Sequence, residues 1–370
     1  MISKASKAGH RPDYFLLAIV ALLTIAGLVI LASASSDLGK IRFGDSYYYL
    51  KHQLLYGLSV GILGFLFAYK LRYQYFKKFA FILLLLNLGL LAMVFTPLGR
   101  AGGGASRWLY FGPILFQPAE LLKLTFLIYL AAWLVNPKMN RVQNLTEGVL
   151  PFFIICGVIG GLLLLQPATS TVIILIGSGI VVYFVSGARL WHILAIGFAG
   201  ALILGIVIFF TPYRLGRIMT YLDPQKDATG SSYQVNQALL SIGSGGLWGV
   251  GYGQSTNKMK YLPTPTDDSI FAVVAQELGF AGASALVILF GMLIFRLLWI
   301  AKDLRDKFGQ LLMVGFASII GLQSIVNMGA ISGLLPLTGV PLPFISAGGT
   351  ALAVFLTMSG IAVNISKYTS

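Results

Sequence analysis

Long apolar runs follow one another along almost the whole chain, and short polar segments separate them. A helix of about 20 apolar residues crosses the hydrocarbon core of a bilayer, where the backbone must satisfy its own hydrogen bonds. The pattern therefore predicts an all-α polytopic integral membrane protein. We expect ten transmembrane helices, at about 14–35, 53–69, 79–96, 118–135, 147–165, 169–186, 190–211, 270–300, 310–332 and 345–365.

The connections between these runs differ strongly in length. Most are short, but the segment 211–269 has nearly sixty residues and the segment 96–117 about twenty. Long connections in compact proteins tend to be functional or disordered. We expect one membrane domain over residues 1–370, with tails at 1–13 and 366–370 and a large loop at 211–269 between spans seven and eight.

Composition and charge agree with a membrane protein and indicate its orientation. Of 370 residues, 57% are hydrophobic and 10% are charged, whereas soluble domains carry about 25% charged residues. The net charge of +14 would suit nucleic acid, but the basic residues form no basic helix or arm, which argues against a nucleic-acid partner. Lys and Arg are more frequent in the connections on the side of the N-terminus, so we expect both termini in the cytoplasm and both long connections outside. The single cysteine, Cys156, excludes an internal disulfide, and no metal site is predicted.

Two adjacent acids, Asp267 and Asp268, stand immediately before the eighth span. A carboxylate there is favoured by the helix N-terminus and can face a substrate carried by lipid. Either acid could instead cap the first amides of the helix, and spacing alone favours this interpretation.

Three further charges lie within the spans. Glu120 and Lys123 are three residues apart, so they share a helix face and can neutralise each other. Glu277 lies about two turns into the eighth span. Ionisable residues at membrane depth are expensive, and they are functional candidates by default. The alternative is that Glu120 only complements its helix N-terminus while Lys123 extends towards the membrane surface.

Three loop segments have unusual composition. The segment 221–234 predicts a solvated loop or a substrate surface, with a short amphipathic helix from Tyr233 to Ile242. Six glycines in the eleven residues 243–253 suit either a flexible loop or an anion-binding nest. The segment 335–350 carries three prolines and three glycines, which predicts a re-entrant wall buried in protein.

Taken in order, these motifs resemble the FtsW/RodA/SpoVE family of peptidoglycan glycosyltransferases, also called the shape, elongation, division and sporulation (SEDS) family. The resemblance covers residues 14 to 366. Its glycine loop is more similar to that of the division member FtsW than to that of RodA. The matching stretches are 106–109, 116–123, 166–167, 223–234, 243–255, 261–279 and 338–346.

The resemblance implies a reaction on lipid II, an undecaprenyl-pyrophosphate-linked disaccharide-peptide, at the outer face of the bacterial cytoplasmic (inner) membrane. The 4-hydroxyl of an acceptor sugar attacks the anomeric carbon of the lipid-linked glycan with inversion, and undecaprenyl pyrophosphate leaves. Asp268 is implied as the base. Arg107, Arg214, Arg217 and Lys123 are the candidates for stabilising the pyrophosphate, with help from amides of the glycine loop. The other implied substrate-binding residues are Trp108, Glu120, Tyr233, Gln234, Lys258, Glu277 and Ser346.

The same resemblance implies partners and leaves alternatives open. A class B penicillin-binding protein transpeptidase and other divisome or elongasome membrane proteins are the expected partners. No cofactor is implied with certainty, and a divalent cation stays open. A lipid II flippase or a non-catalytic scaffold would use the same fold, although a scaffold has no need for a carboxylate at Asp268. Two departures stand out, since the family commonly has Asp at the position of Ala168 and Tyr at that of Ala347.

Overall fold

The computed structural model describes residues 11–102, 105–111, 114–136, 142–223, 231–255 and 262–369. Within these ranges, eight helices are long and apolar enough to cross a membrane. Two further helices, each of 17 residues, occupy the fourth and sixth predicted runs. All ten predicted runs are therefore helical, and the all-α polytopic architecture is confirmed. The helices are α1 Tyr14–Phe43, α2 Tyr48–His52, α3 Ser59–Lys70, α4 Gln74–Met93, α5 Pro118–Leu134, α6 Leu150–Leu165, α7 Thr169–Val185, α8 Leu190–Phe209, α9 Pro212–Leu222, α10 Ser231–Ser244, α11 Ile270–Lys302, α12 Lys307–Ile331 and α13 Gly349–Ile365.

Two helices are extended by π-helical turns, and two ends differ from the prediction. The π turn Gln53–Leu58 joins α2 to α3, and the turn Leu145–Val149 precedes α6. Helix α1 continues to Phe43, well beyond the predicted end at about 35, and closes on Gly44 in the left-handed conformation. Helix α13 begins only at Gly349, because the proline-rich segment before it is irregular.

The centre of the bundle is formed by α5, α12 and α13, whose residues are mostly buried. Helix α13 packs closely on α3, where a Cβ at Gly360 would lie 2.5 Å from the carbonyl oxygen of Phe65. Small residues permit such close approach between membrane helices. Helix α8 is at the other extreme, since only Ile196 of this helix is buried. Its remaining apolar side chains are left for lipid.

A small antiparallel sheet occupies the connection between α4 and α5. Its strands are β1 Gly99–Gly102, β2 Ala105–Phe111 and β3 Ile114–Phe116, in the order β1-β2-β3. The sequence analysis predicted only a long connection here. The strands are short, yet Trp108, Leu109 and Tyr110 favour extended backbone.

The long connection between α8 and α11 contains α9 and α10. Helix α10 covers the predicted amphipathic segment 233–242 and packs on α11. The sheet, α9, α10 and the segment 335–348 define what we call the loop side of the bundle. The irregular segment 335–348 buries Val340, Leu342 and Phe344, in agreement with the predicted re-entrant wall.

The opposite end, the terminal side, holds both ends of the described chain. The Asp13 carboxylate accepts a hydrogen bond from the Leu16 amide at 2.7 Å and one from Arg296 Nε at 2.9 Å. The Asp13 amide donates to Ser366 Oγ at 3.0 Å. One residue therefore connects the start of α1 to α11 and to the end of α13.

Candidate functional site

A cavity of about 330 Å³ lies on the loop side between the sheet, α5, α7, α9 and the segment 335–341. It brings together four residues predicted from sequence, namely Arg107, Glu120, Arg214 and Arg217. Residues from such distant parts of the chain meet here because β2, the start of α5 and α9 all lie on the loop side.

The arginines are fixed by carbonyl groups at the end of α6. Arg107 donates from Nε to the Gln166 carbonyl at 2.9 Å and from Nη2 to the Pro167 carbonyl at 2.6 Å. Arg214 donates from Nη2 to the Leu164 carbonyl at 2.9 Å. The last carbonyls of a helix have no partner within it, so these arginines satisfy them while their charges stay at the cavity.

Glu120 and Lys123 form a buried ion pair at the start of α5. Lys123 Nζ lies 2.7 Å from Glu120 Oε1 and also donates to Gln323 Oε1 at 2.7 Å. The side chain of Lys123 is only 1% exposed, so the alternative that it extends towards the membrane surface is wrong. Glu120 lines the cavity, whereas Lys123 lies behind it. Among the described lining residues, Glu120 is the only acid, and its charge is already balanced.

Asp268 is held by hydrogen bonds to both carboxylate oxygens. Thr264 Oγ1 donates to Oδ1, and Gln234 Nε2 on α10 donates to Oδ2 at 3.2 Å. Asn327 on α12 donates from Nδ2 to the Asp268 carbonyl at 2.9 Å and to the Val340 carbonyl at 2.7 Å. Asp268 is thereby tied to α10, α12 and the cavity wall.

The capping interpretation of the acids is wrong. The N-cap residue of α11 is Ser269, and its side chain makes no capping hydrogen bond. The carboxylate of Asp268 is bonded to Gln234 and Thr264 instead of to the first amides of the helix.

Gly339 separates Asp268 from the arginine of α9. A Cβ placed on Gly339 would lie 3.7 Å from Asp268 Oδ2 and 3.9 Å from both terminal nitrogens of Arg217. The φ angle of Gly339 is +67°, which favours glycine. The missing side chain leaves a gap between the carboxylate and the cationic wall of the cavity.

Asp267 differs from its neighbour in exposure. Its side chain is open to solvent, whereas Asp268 is 9% exposed. The surrounding protein partly removes the Asp267 carboxyl from water, which raises its pKa to about 6, and the charge of Asp268 raises this pKa further. The hydrogen bond from Thr266 and the charge of Arg42 lower it. Solvent at the side chain screens part of these effects. Ser346 is structural, since its hydroxyl donates to the Asp267 carbonyl and accepts from the Leu342 amide at 2.8 Å.

The glycine loop and Glu277 bind each other, and neither lines the cavity. The Gly253 amide donates to Glu277 Oε2 at 3.0 Å, and Ser33 donates to Glu277 Oε1 at 2.8 Å. The loop braces a kink in α11 at Gly279, where φ is +66°. One amide of the loop, that of Gly253, thus binds the chain's own carboxylate. In this structure the Glu277 carboxylate therefore has structural partners, while the roles predicted for Glu277 and the loop amides in binding substrate stay predictions.

The remaining predicted residues fall in three places. Trp108 is part-buried on β2, beside Arg107 but outside the cavity lining, and Tyr233 is part-buried on α10, next to Gln234. Lys258 lies outside the described residues. Ala168 lines the cavity and is the N-cap residue of α7, where it makes no side-chain capping bond.

Sequence reasoning missed the polar residues of α12 that organise the site. Gln323 is bonded to Lys123, and Asn327 is bonded to Asp268. Both are fully buried, four residues apart on one face of an apolar helix. That spacing of two amides within a span was the available signal.

Metal ions in proteins are held by groups of His, Cys, Asp or Glu side chains. Among the described residues, no group of three or more His, Cys, Asp or Glu side chains could hold a metal ion. The nearest approach at the site is the pair Asp267 and Asp268.

The site therefore combines a fixed carboxylate with a cavity lined by arginines, at one end of a multi-pass helical membrane protein. Such a site can remove a proton on one side and stabilise a departing anion on the other. The class defined by fold and site is thus a polytopic membrane protein with acid–base and anion-binding groups on the loop side.

The comparison with known sequences defines the family. Residues 13–370 match the family FtsW/RodA/SpoVE, described as "Cell cycle protein", and the chain belongs to this family. Stage V sporulation protein E of Bacillus subtilis is 35% identical over 358 residues, which cover 96% of this chain and 97% of that protein. The probable peptidoglycan glycosyltransferase FtsW of Trichlorobacter lovleyi is 36% identical over 355 residues, which cover 96% and 93%.

Solved structures give the same result for the fold. A chain of a peptidoglycan synthase complex superposes with a TM-score of 0.80 at 29% identity, over 98% of this chain and all of that chain. RodA of Thermus thermophilus superposes with a TM-score of 0.72 at 29% identity, over 97% of this chain and 98% of that chain.

Proposed function

We propose that this protein is a peptidoglycan glycosyltransferase that polymerises lipid II into glycan strands on the outer face of the bacterial cytoplasmic membrane. The observation that carries the proposal is the position of Asp268 across Gly339 from the arginine-lined cavity. The names of relatives support the enzyme class. On this proposal both termini lie in the cytoplasm and the loop side faces outward. The glycine loop favours a role in cell division, with elongation as the alternative.

The reaction divides between the two parts of the site. The 4-hydroxyl of the acceptor sugar gives its proton to Asp268 as its oxygen bonds to the anomeric carbon of the donor. The bond from that carbon to the pyrophosphate breaks at the same time, and the configuration inverts. Undecaprenyl pyrophosphate departs with the bonding electrons towards Arg107, Arg214 and Arg217.

The geometry supports this division of roles. Arg214 lines the cavity beside Arg107 and Arg217, so three guanidinium groups face the place where the anion would leave. The hydrogen bonds from Gln234 and Thr264 hold the Asp268 carboxylate in one orientation. A fixed orientation favours proton transfer because little rearrangement is needed in the transition state.

The proposed partner is a class B penicillin-binding protein. The supporting observation is the likeness to a chain of a complex described as coordinating polymerization and crosslinking. The present chain would supply the polymerising half of such a complex, and the transpeptidase the crosslinking half.

The test is polymerisation of fluorescent lipid II by the purified protein, alone and with its penicillin-binding protein. Asp268→Asn is expected to lose about 10²–10⁴-fold in rate, the usual contribution of a general base. Asp267→Asn is the matched neighbour and is expected to stay within a few-fold of wild type. Equal losses in both variants would overturn the assignment to Asp268. Transport of lipid II across vesicles without any polymer would replace this function by that of a flippase.

A further inference from the structure

A row of aromatic rings lies on the surface where α1 ends and α2 begins. We call residues 42–56 the aromatic hairpin. Phe43 and Tyr48 stack with ring centroids 3.7 Å apart and planes 11° apart. His52 follows Tyr48 at 6.3 Å, and Tyr56 follows His52 at 4.6 Å. Tyr48, His52 and Tyr56 are four residues apart, so one helix face aligns them.

The rings are accessible and bordered by charges. Phe43 is 50% exposed and Tyr48 is 38% exposed. Lys51 and Asp45 form an exposed ion pair of 2.7 Å beside them. A lipid chain needs only apolar contact, whereas a sugar ring offers a flat face of C–H groups and an edge of hydroxyl groups. Flat rings together with nearby polar groups suit a sugar.

The aromatic hairpin adjoins the acid pair. Gln53 accepts a hydrogen bond from the Gly348 amide at 3.0 Å, and the neighbouring Ala347 amide donates to the Thr266 carbonyl at 2.9 Å. Thr266 immediately precedes Asp267. Arg42 is near enough for its charge to act on the Asp267 carboxyl.

The aromatic hairpin and the cavity approach the acids from different directions. Asp268 is directed towards Gly339 and Arg217, whereas Asp267 lies on the side of Arg42. No residue of the hairpin lines the cavity. In an inverting displacement the nucleophile enters opposite the leaving group. With the pyrophosphate in the cavity, the side of the hairpin is open to the acceptor sugar.

We propose that the aromatic hairpin is the acceptor subsite, where a disaccharide of N-acetylated hexoses stacks on Phe43 and Tyr48 before its hydroxyl reaches Asp268. This inference rests on the proposed function for the direction of transfer. It assigns sugar binding to Phe43 and Tyr48, more than two hundred residues before the two acids in the sequence.

The test replaces each ring by an aliphatic side chain of similar size, with Phe43→Leu and Tyr48→Leu. Leucine keeps the apolar surface that a membrane would take but removes the flat face that a sugar needs. Tyr75→Leu is the control, an exposed aromatic residue at the start of α4. Phe43→Trp and Tyr48→Phe should restore binding, and thermal unfolding in detergent checks that all variants fold.

Two measurements give the outcome. The lipid-free N-acetylglucosamine–N-acetylmuramic acid disaccharide is titrated against the full chain in nanodiscs, with saturation-transfer NMR as the signal. Each leucine variant should bind it about ten-fold more weakly, the loss expected for one stacking contact. In lipid II polymerisation, KM should rise by a similar factor while kcat at saturation stays within two- to three-fold.

The results separate this inference from the function on which it rests. If wild type polymerises lipid II and the leucine variants match it in both measurements, the acceptor subsite is refuted and the function stands. If Phe43→Leu and Tyr48→Leu lose no more binding and activity than Tyr75→Leu does, the rings belong to the membrane interface. This result would also refute the acceptor subsite. Ring-dependent disaccharide binding without any polymer would support the subsite and refute the polymerase.

Discussion

Alanine at Gly339 should impair catalysis far more than it impairs folding. Its φ of +67° already disfavours any side chain, and an alanine in this conformation costs about 1–2 kcal/mol. The added methyl would also stand 3.7 Å from the Asp268 carboxylate and 3.9 Å from the Arg217 guanidinium. No atom clashes with it, so the protein should fold. The methyl would occupy the gap through which acceptor, carboxylate and anion must meet.

Gly333, just after the end of α12 and two residues before the segment 335–348, provides a matched control. Its φ is +74°, and a Cβ there would meet only Leu239 and Val235, at 3.5 Å or more. Gly333→Ala therefore carries a similar backbone cost without filling the gap beside Asp268. Both variants should lower the free energy of unfolding by about 1–2 kcal/mol. Only Gly339→Ala should lose about 10²-fold in kcat/KM, the scale that misplacement of reacting groups by about 1 Å produces.

The measurement pairs thermal unfolding in detergent with initial rates of lipid II polymerisation. Equal rates in the two alanine variants would refute the reasoning, because the backbone cost would then account for the whole effect. Full activity of Gly339→Ala would likewise show that no reacting group passes between Asp268 and Arg217.

Three other predictions concern stability, each measured by thermal unfolding. The pKa of Asp267 rises from 3.8 in the unfolded chain to about 6 in the folded protein. The stability that Asp267 contributes is therefore complete below about pH 4 and is lost as the pH rises through 6. Asp267→Asn should remove this decline, and a variant with the same pH profile as wild type would contradict the prediction. Glu277→Ala removes the carboxylate that the Gly253 amide and the Ser33 hydroxyl bind and should cost about 3 kcal/mol. Glu147→Ala, at a part-exposed carboxylate, should cost less. Ala168→Asp supplies the missing cap of α7 and should add about 1 kcal/mol; a lower unfolding temperature would count against the N-cap assignment.

The sequence predicts the spans well because their signal is strong and local. Each apolar run must be helical at membrane depth, whatever it packs against. A local argument also predicts the ion pair between Lys123 and Glu120, because two opposite charges three residues apart within a span are each other's nearest partner. Membership of the family follows from the order of motifs, and the relatives' names agree with the predicted glycosyltransferase.

The details of the site depend on contacts that spacing does not contain. Spacing favoured a cap for Asp268, yet α10, which is distant in sequence, supplies Gln234 as its partner. The density of glycines suggested either a flexible loop or an anion-binding nest, and spacing gave no sign that the Gly253 amide bonds to Glu277 of the helix that follows. The sheet around Arg107 was also missed, because strands of three to seven residues give little periodicity.

The sparse packing of α8 links the site to the surrounding bilayer. Ile196 is the one buried residue of this helix, so much of its apolar surface is open to lipid. It is followed directly by α9 with Arg214 and Arg217. A helix that lipid positions adjusts its tilt when the hydrocarbon thickness changes. We therefore expect a change in membrane thickness to load α9 through α8, against the hydrogen bonds that hold Arg214 to the Leu164 carbonyl and Arg217 to the Leu337 carbonyl. The bilayer from which the substrate enters would then also affect how strongly the site binds the pyrophosphate.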